Sequence, residues 1–302
     1  MAVRRDEVEF DSGGTRCAAW LYPGSNGGCV VMAGGLGVTR GPGTDRFAQR
    51  FAGAGFTVLA FDYRRFGDSG GEPRQVVGLQ DERADWDAAL VHAAGLPGVD
   101  PERIGIWGFS TSGGHVFRVA ADHPELAAAI AQTPNADGQA AALNAMRFQR
   151  PDTMLRLLSR ALLDQVGGWF GRPPRLVALD GPPGTLALLT TPDAQGGGMA
   201  LDPDGRYPDW QRAVAARAAL QVSRYRPGRS AGRVRCPLLV VVCDQDRSAL
   251  AAPAVRAAQR APRSELVRLP GGHYAPFLEV HEESVAAELS FLRRHLLDET
   301  GD

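Results

Sequence analysis

Short apolar runs and longer stretches of helical spacing alternate through the first 132 residues of this chain. Thr15 to Tyr22 and Cys29 to Ala33 read as strands, Pro42 to Gly55 as a helix, and Phe56 to Phe61 as a strand. Val76 to Ala94 reads as a helix with Leu79, Trp86, Leu90 and Val91 on related faces. Ile104 to Trp107 is a strand feeding a glycine-rich corner and a further helix, and Leu126 to Ala131 is an Ala-rich strand. Near-continuous apolar strands separated by helices predict a parallel sheet covered on both faces.

The rhythm breaks after Gln132. From Asn135 to about Ser230 the pattern predicts three helices and no strand. On the middle helix Met154, Leu155, Leu158, Leu162 and Val166 form an apolar stripe expected to pack onto the body. Gly167 to Arg206 is dense in Gly and Pro, and Leu186 to Leu189 within it favours an ordered segment draped over a surface. The core pattern resumes with Pro237 to Cys243, a helix over Ala251 to Arg260, a strand over Glu265 to Leu269, and a C-terminal helix bearing Leu278, Val285, Leu289 and Leu292. The expected organisation is an α/β core made of residues 1–134 and 231–302, with 135–230 inserted as a helical cap or lid.

Composition narrows the chemistry. A net charge of −1 leaves no electrostatic footprint for nucleic acid or an acidic membrane. All 33 basic residues are arginine, which excludes Schiff-base lysine chemistry and a Walker-type phosphate loop. Cys17, Cys29, Cys236 and Cys243 lack metal-type spacing and are expected to pack as small hydrophobes. Neither a signal peptide nor a membrane span is apparent, so a cytoplasmic protein is expected.

The candidate chemistry gathers where strands end. Gly108-Phe-Ser-Thr-Ser-Gly113 follows a strand directly, and a serine on so tight a corner has its hydroxyl pushed above the sheet edge. The usual pattern is G-x-S-x-G, and Ser112 stands at its second glycine, so Ser110 and Ser112 are both candidates. A carboxylate, Asp246 or its neighbour Asp244, follows a second strand, and His273 lies on the glycine-rich loop after a third. Serine needs an imidazole to take its proton, and the imidazole needs a carboxylate to fix its tautomer. The edge beyond the strand C-termini is where open parallel sheets build such sites. Of the other histidines, His92, His281 and His295 lie on helical patterns and are expected in solvent, while His123 sits in a turn before a proline.

These features resemble the α/β-hydrolases, in particular the dienelactone-hydrolase-like group and the polyketide transferases. The resemblance rests on Phe61 to Arg74, the serine corner, Tyr225-Arg-Pro-Gly228, the strand ending at Asp246, and Gly271-Gly-His273. It implies an α/β-hydrolase fold: a mostly parallel, doubly wound sheet with an inserted cap. Ser110 fits as nucleophile because it lies two residues past Gly108, and because some family members carry G-x-S-x-x-G, which Gly113 completes. Ser112 then falls in the first helical turn as a small residue permitting close packing. The family's G-x-x-D strand end makes Asp246 the acid, with Cys243 at the glycine position. Thr111 and Leu36 would donate the two oxyanion-hole amides, although Gly34 stands where the family often has histidine. Gly35, His115, Met154 and Tyr274 are expected around the substrate, with packing the alternative for His115. Asp62, Tyr63, Arg64 and Gly67 are expected to form a structural loop, and Arg40 to be a solvated surface residue, with contact to an acidic substrate group the alternative.

The expected activity is hydrolysis of an ester or thioester of a small acyl substrate, free or carrier-bound, through an acyl-enzyme and without metal or cofactor. The alternatives are acyl transfer or cyclisation at the same three residues, and a non-hydrolytic or binding use of the fold. The oligomeric state is open, a homodimer among the options.

Overall fold

The computed structural model describes residues 3–297. Its frame is an eight-stranded sheet in the order β1-β2-β4-β3-β5-β6-β10-β11. The strands are β1 (Asp6–Ser12), β2 (Thr15–Tyr22), β3 (Cys29–Ala33), β4 (Thr57–Phe61), β5 (Ile104–Phe109), β6 (Ala128–Gln132), β10 (Leu238–Cys243) and β11 (Ser264–Leu269). β1, β2 and β4 pair antiparallel, and every pairing from β4 to β11 is parallel. The central strands β3 to β6 and β10 are buried throughout, as a sheet covered on both faces requires. The covering helices are α1 (Thr44–Gly53), α2 (Leu79–Ala94), α3 (Thr111–Asp122), α8 (Ala251–Arg260) and α9 (His281–Leu296). One face packs around Trp86, Phe117 and Val240, the other around Phe47, Trp107 and Phe291.

Between β6 and β10 lie α4 (Gly138–Ala145), α5 (Pro151–Trp169), β7 (Leu176–Asp180), β8 (Ala187–Leu189), α6 (Gly197–Leu201), β9 (Ala213–Ala215) and α7 (Ala218–Val222). This stretch is not purely helical. It contains a second sheet, β8-β7-β9, whose strands of three to five residues are too short for a periodicity to show. Leu157, Ala161, Val177 and Ala216 form a small core of its own. Leu179 and Val214 instead join the main core, where a side chain on Gly37 would collide with Val214.

The face that α5 presents is the reverse of the expected one. Thr153, Leu157, Ala161 and Asp164 turn inward, while Leu155, Leu158, Leu162 and Val166 are exposed and Met154 is half-buried. The cause is Asp164, whose carboxylate accepts from Arg217 Nε at 2.7 Å, the Arg217 amide at 3.0 Å and the Arg175 amide at 2.6 Å. Stripping water from a carboxylate is tolerable only with such partners, so its face is the one that docks.

Two further surface expectations are overturned. Arg40 is only 5 % exposed. Its guanidinium bonds the buried Asp62 and also Asp68, at 2.5 Å, so it ties the loop after β3 to the loop after β4. His281 is buried, with Nδ1 2.9 Å from the Pro276 carbonyl, which makes it a packing group of α9. All four cysteines are buried and unpaired, and burial pushes the thiols of Cys17, Cys29 and Cys243 up to about 12, which suppresses thiolate chemistry. Among the described residues no helix is long and apolar enough to cross a membrane, and no cluster of metal-ligating side chains occurs.

Candidate active site

β5 runs into α3 through a single residue, Ser110, whose backbone sits at φ 57° and ψ −113°. For a residue with a side chain this conformation costs on the order of 1–3 kcal/mol. The surroundings hold it there. The Ser110 amide donates to the Gln132 carbonyl at 3.0 Å, and the Ser110 carbonyl accepts from Gly114 and Asn135 at 2.9 and 2.8 Å. Gly108 admits the turn, since a Cβ there would lie 2.4 Å from the Ser112 carbonyl oxygen.

Three strand ends then converge. His273, on the loop after β11, places Nε2 2.9 Å from Ser110 Oγ and Nδ1 2.8 Å from Asp246 Oδ2. Asp246, on the loop after β10, is anchored through Oδ1 by the amides of Ser248 at 2.9 Å and Ala249 at 2.8 Å. Asp244, the other candidate acid, is exposed and pairs with Arg268 at 2.7 Å. Burial alone would lower the basicity of His273, but the charge and hydrogen bond of Asp246, and beyond them the charge of Asp193, hold it above its ordinary value. A ring so placed can accept the serine proton and share the resulting charge with Asp246.

Thr111 is the first residue of α3, where an amide has no carbonyl four residues back to bond. Gly35, on the loop after β3, is buried against the serine: a Cβ there would lie 3.2 Å from Ser110 Cβ. Leu36 follows it, half-buried on the same loop. Tyr274 packs its ring on Phe109 and His273 and stands against Gly197 of α6. Met154 lies on α5. Ser112 is buried beneath the corner and its hydroxyl bonds the Gly34 carbonyl, so it is a tether and not merely a small filler.

His115 is not a pocket residue. It is fully buried, with Nε2 2.9 Å from Glu82 and Nδ1 2.8 Å from the Tyr225 hydroxyl. Both ring nitrogens are committed to joining α2, α3 and the segment before β10.

The pattern along the chain held no sign of Asp193. It lies after β8, and its carboxylate accepts from the Arg247 amide at 2.7 Å, the His273 amide at 3.2 Å and the Ser248 hydroxyl at 3.1 Å. An aspartate in a Thr-Thr-Pro-Asp turn has no local signature of a long-range contact.

A family model described as alpha/beta hydrolase family matches residues 30–288. The chain belongs to this family. It is 40 % identical over 293 residues to the quorum-quenching protein AidA of Acinetobacter baumannii (strain MDR-ZJ06), covering 95 % of this chain and 94 % of that protein. It is 28 % identical over 217 residues to a thiohydrolase of Eupenicillium brefeldianum, covering 71 % of this chain and 65 % of that protein. Among solved structures, the alpha/beta hydrolase GrgF from Penicillium sp. sh18 superposes with a TM-score of 0.79 at 22 % identity, covering 97 % of this chain and 99 % of that one. At that identity the superposition speaks for the fold alone.

Proposed function

We propose that this alpha/beta hydrolase cleaves an ester or thioester of a small acyl substrate, free or carrier-bound, through an acyl-enzyme on Ser110. The observation that carries the reading is the unbroken hydrogen-bond chain from Ser110 Oγ through His273 to Asp246. In this reading His273 takes the Ser110 proton as Oγ adds to the acyl carbon, then returns it to the leaving alcohol or thiol. Water, deprotonated by the same ring, cleaves the acyl-enzyme and regenerates the serine. Asp246 keeps the ring in one tautomer and faces the positive charge that develops on it. The amides of Thr111 and Leu36 would stabilise the oxyanion, a donor pair in which each member is worth about 10²–10³ in rate. Met154, Tyr274 and Gly35 would border the acyl group. The likeness to a thiohydrolase supports the thioester form of the reaction.

The test is labelling by a fluorophosphonate followed by product analysis with an acyl thioester, with and without an alcohol acceptor. Labelling that survives Ser110→Ala would overturn the nucleophile. Transfer of the acyl group to the alcohol in preference to water would replace hydrolysis by acyl transfer.

A further inference from the structure

Asp193 belongs to the inserted stretch between β6 and β10, yet its carboxylate reaches both loops that carry the partners of Ser110. Oδ2 accepts from the Arg247 amide at 2.7 Å, one residue past Asp246, and from the amide of His273 itself at 3.2 Å. Oδ1 accepts from Ser248 Oγ at 3.1 Å, and the Ser248 amide is one of the two that anchor Asp246. Thr191 completes the arrangement, its hydroxyl 2.6 Å from Ser248 Oγ. The contact is close enough to dictate a neighbouring residue: a Cβ on Gly272 would lie 2.7 Å from Asp193 Cβ. One carboxylate thus bonds three donors on two loops that are otherwise joined by the Asp246–His273 bond, the Gln245 side chain, which accepts from the Gly271 amide at 2.5 Å, and the strand-end backbone.

We propose that Asp193 is a positioning residue for the proposed hydrolysis, a second carboxylate that latches the acid and histidine loops together and supplies negative charge near the His273 ring. The inference rests on the reading of Ser110, His273 and Asp246 as nucleophile, base and acid. It follows that the inserted stretch is part of the catalytic frame. A displacement of residues 190–193 would loosen the histidine without touching Ser110. Burial works against the ionised form of Asp193, but the Arg247 amide and the charge on His273 outweigh it and hold the carboxyl below its usual range. It is therefore an anion wherever the histidine titrates. A negative charge near the ring favours the imidazolium, so removing it lowers the pKa of His273.

The experiment compares wild type, Asp193→Asn and Asp193→Glu by fluorophosphonate labelling across pH and by NMR titration of histidine-labelled protein, with His273 assigned through His273→Gln. Asp193→Asn keeps an acceptor oxygen and loses the charge. Its labelling limb and the His273 titration should both move to lower pH by about half to one unit. Its plateau rate should fall about 3–10-fold as the ring loses its fixed pose. Asp193→Glu should keep the limb and lose only rate. A plateau loss in Asp193→Asn with limb and titration unmoved would reduce Asp193 to packing and overturn the inference. Wild type offers a check that needs no variant: the Asp193 carboxyl carbon should show an inflection where His273 titrates, and its absence would also overturn the inference. Failure of wild type to label at Ser110 would refute the proposed reaction, while the two titrations would still decide for or against the carboxylate near the ring.

Discussion

The hydroxyl of Ser112 donates to the carbonyl oxygen of Gly34, tying the first turn of α3 to the start of the loop that carries Gly35 and Leu36. It ends a buried relay. Trp86 Nε1 donates to the Tyr63 hydroxyl at 2.7 Å, and that hydroxyl lies 2.6 Å from Ser112 Oγ. Because Ser112 spends its proton on Gly34, Tyr63 must donate to Ser112. Burial keeps the Tyr63 phenol protonated for this role, its pKa raised well above the ordinary value. The departure from G-x-S-x-G is therefore a structural tether between the two proposed sources of oxyanion-hole amides.

Ser112→Ala removes that tether and strands two buried groups, the Gly34 carbonyl and the Tyr63 hydroxyl. A loss of about 1–3 kcal/mol in unfolding free energy is expected from urea denaturation. Fluorophosphonate labelling at Ser110 should persist, slowed by the looser oxyanion loop. Labelling abolished in this variant alone would point to Ser112 as the nucleophile.

Ser110 holds a left-handed backbone that glycine adopts without penalty. Ser110→Gly should therefore abolish labelling while raising unfolding free energy by roughly 1 kcal/mol, a trade of stability against activity at one residue. Calorimetry reads the gain. A lower melting temperature would show that the strain is not relieved by losing the side chain.

In the proposed reaction His273 must be neutral to act as base, and its pKa is held above the ordinary value. The acid limb of kcat/KM should accordingly lie above about pH 6.5, with activity falling as pH drops through the raised pKa. Asp246→Asn should move the limb down and lower kcat by about 10⁴. The linked stability has the opposite sense: a raised folded-state pKa gives stability that is fully present below the unfolded-state value and is lost as pH rises through the folded one. The Asp246→Asn variant should lack this component in pH-dependent unfolding.

On α5 the reversed face makes neighbouring leucines unequal. Leu157→Ala, in the small core with Val177, should cost about 2–4 kcal/mol. Leu158→Ala, on the exposed side, should cost under about 0.5 kcal/mol. Equal losses would mean that the exposed stripe is covered in solution.

The sequence by itself determined the sheet and the places where chemistry could sit. The uninterrupted apolar runs at Cys29, Ile104 and Leu238 mark central strands, Ser110 and Asp246 stand just beyond two of them, and His273 follows the edge strand β11 on a glycine-rich loop. These signals are local, because burial on both faces and a serine corner are written in consecutive residues. Strand β1 carries a weak signal because its inward positions Asp6, Val8, Phe10 and Ser12 hold only two apolar residues. Only the tertiary structure decided the rest. α5 is apolar on nearly every side, and the buried Asp164–Arg217 pair, 53 residues apart, chose its inner face. Arg40 became a core cation because Asp62 was there to receive it, and His115 became a strut because Glu82 and Tyr225 closed on it. Asp193 meets His273 across 80 residues. A polar side chain's role is set by the partner that compensates its desolvation, and that partner is found by folding.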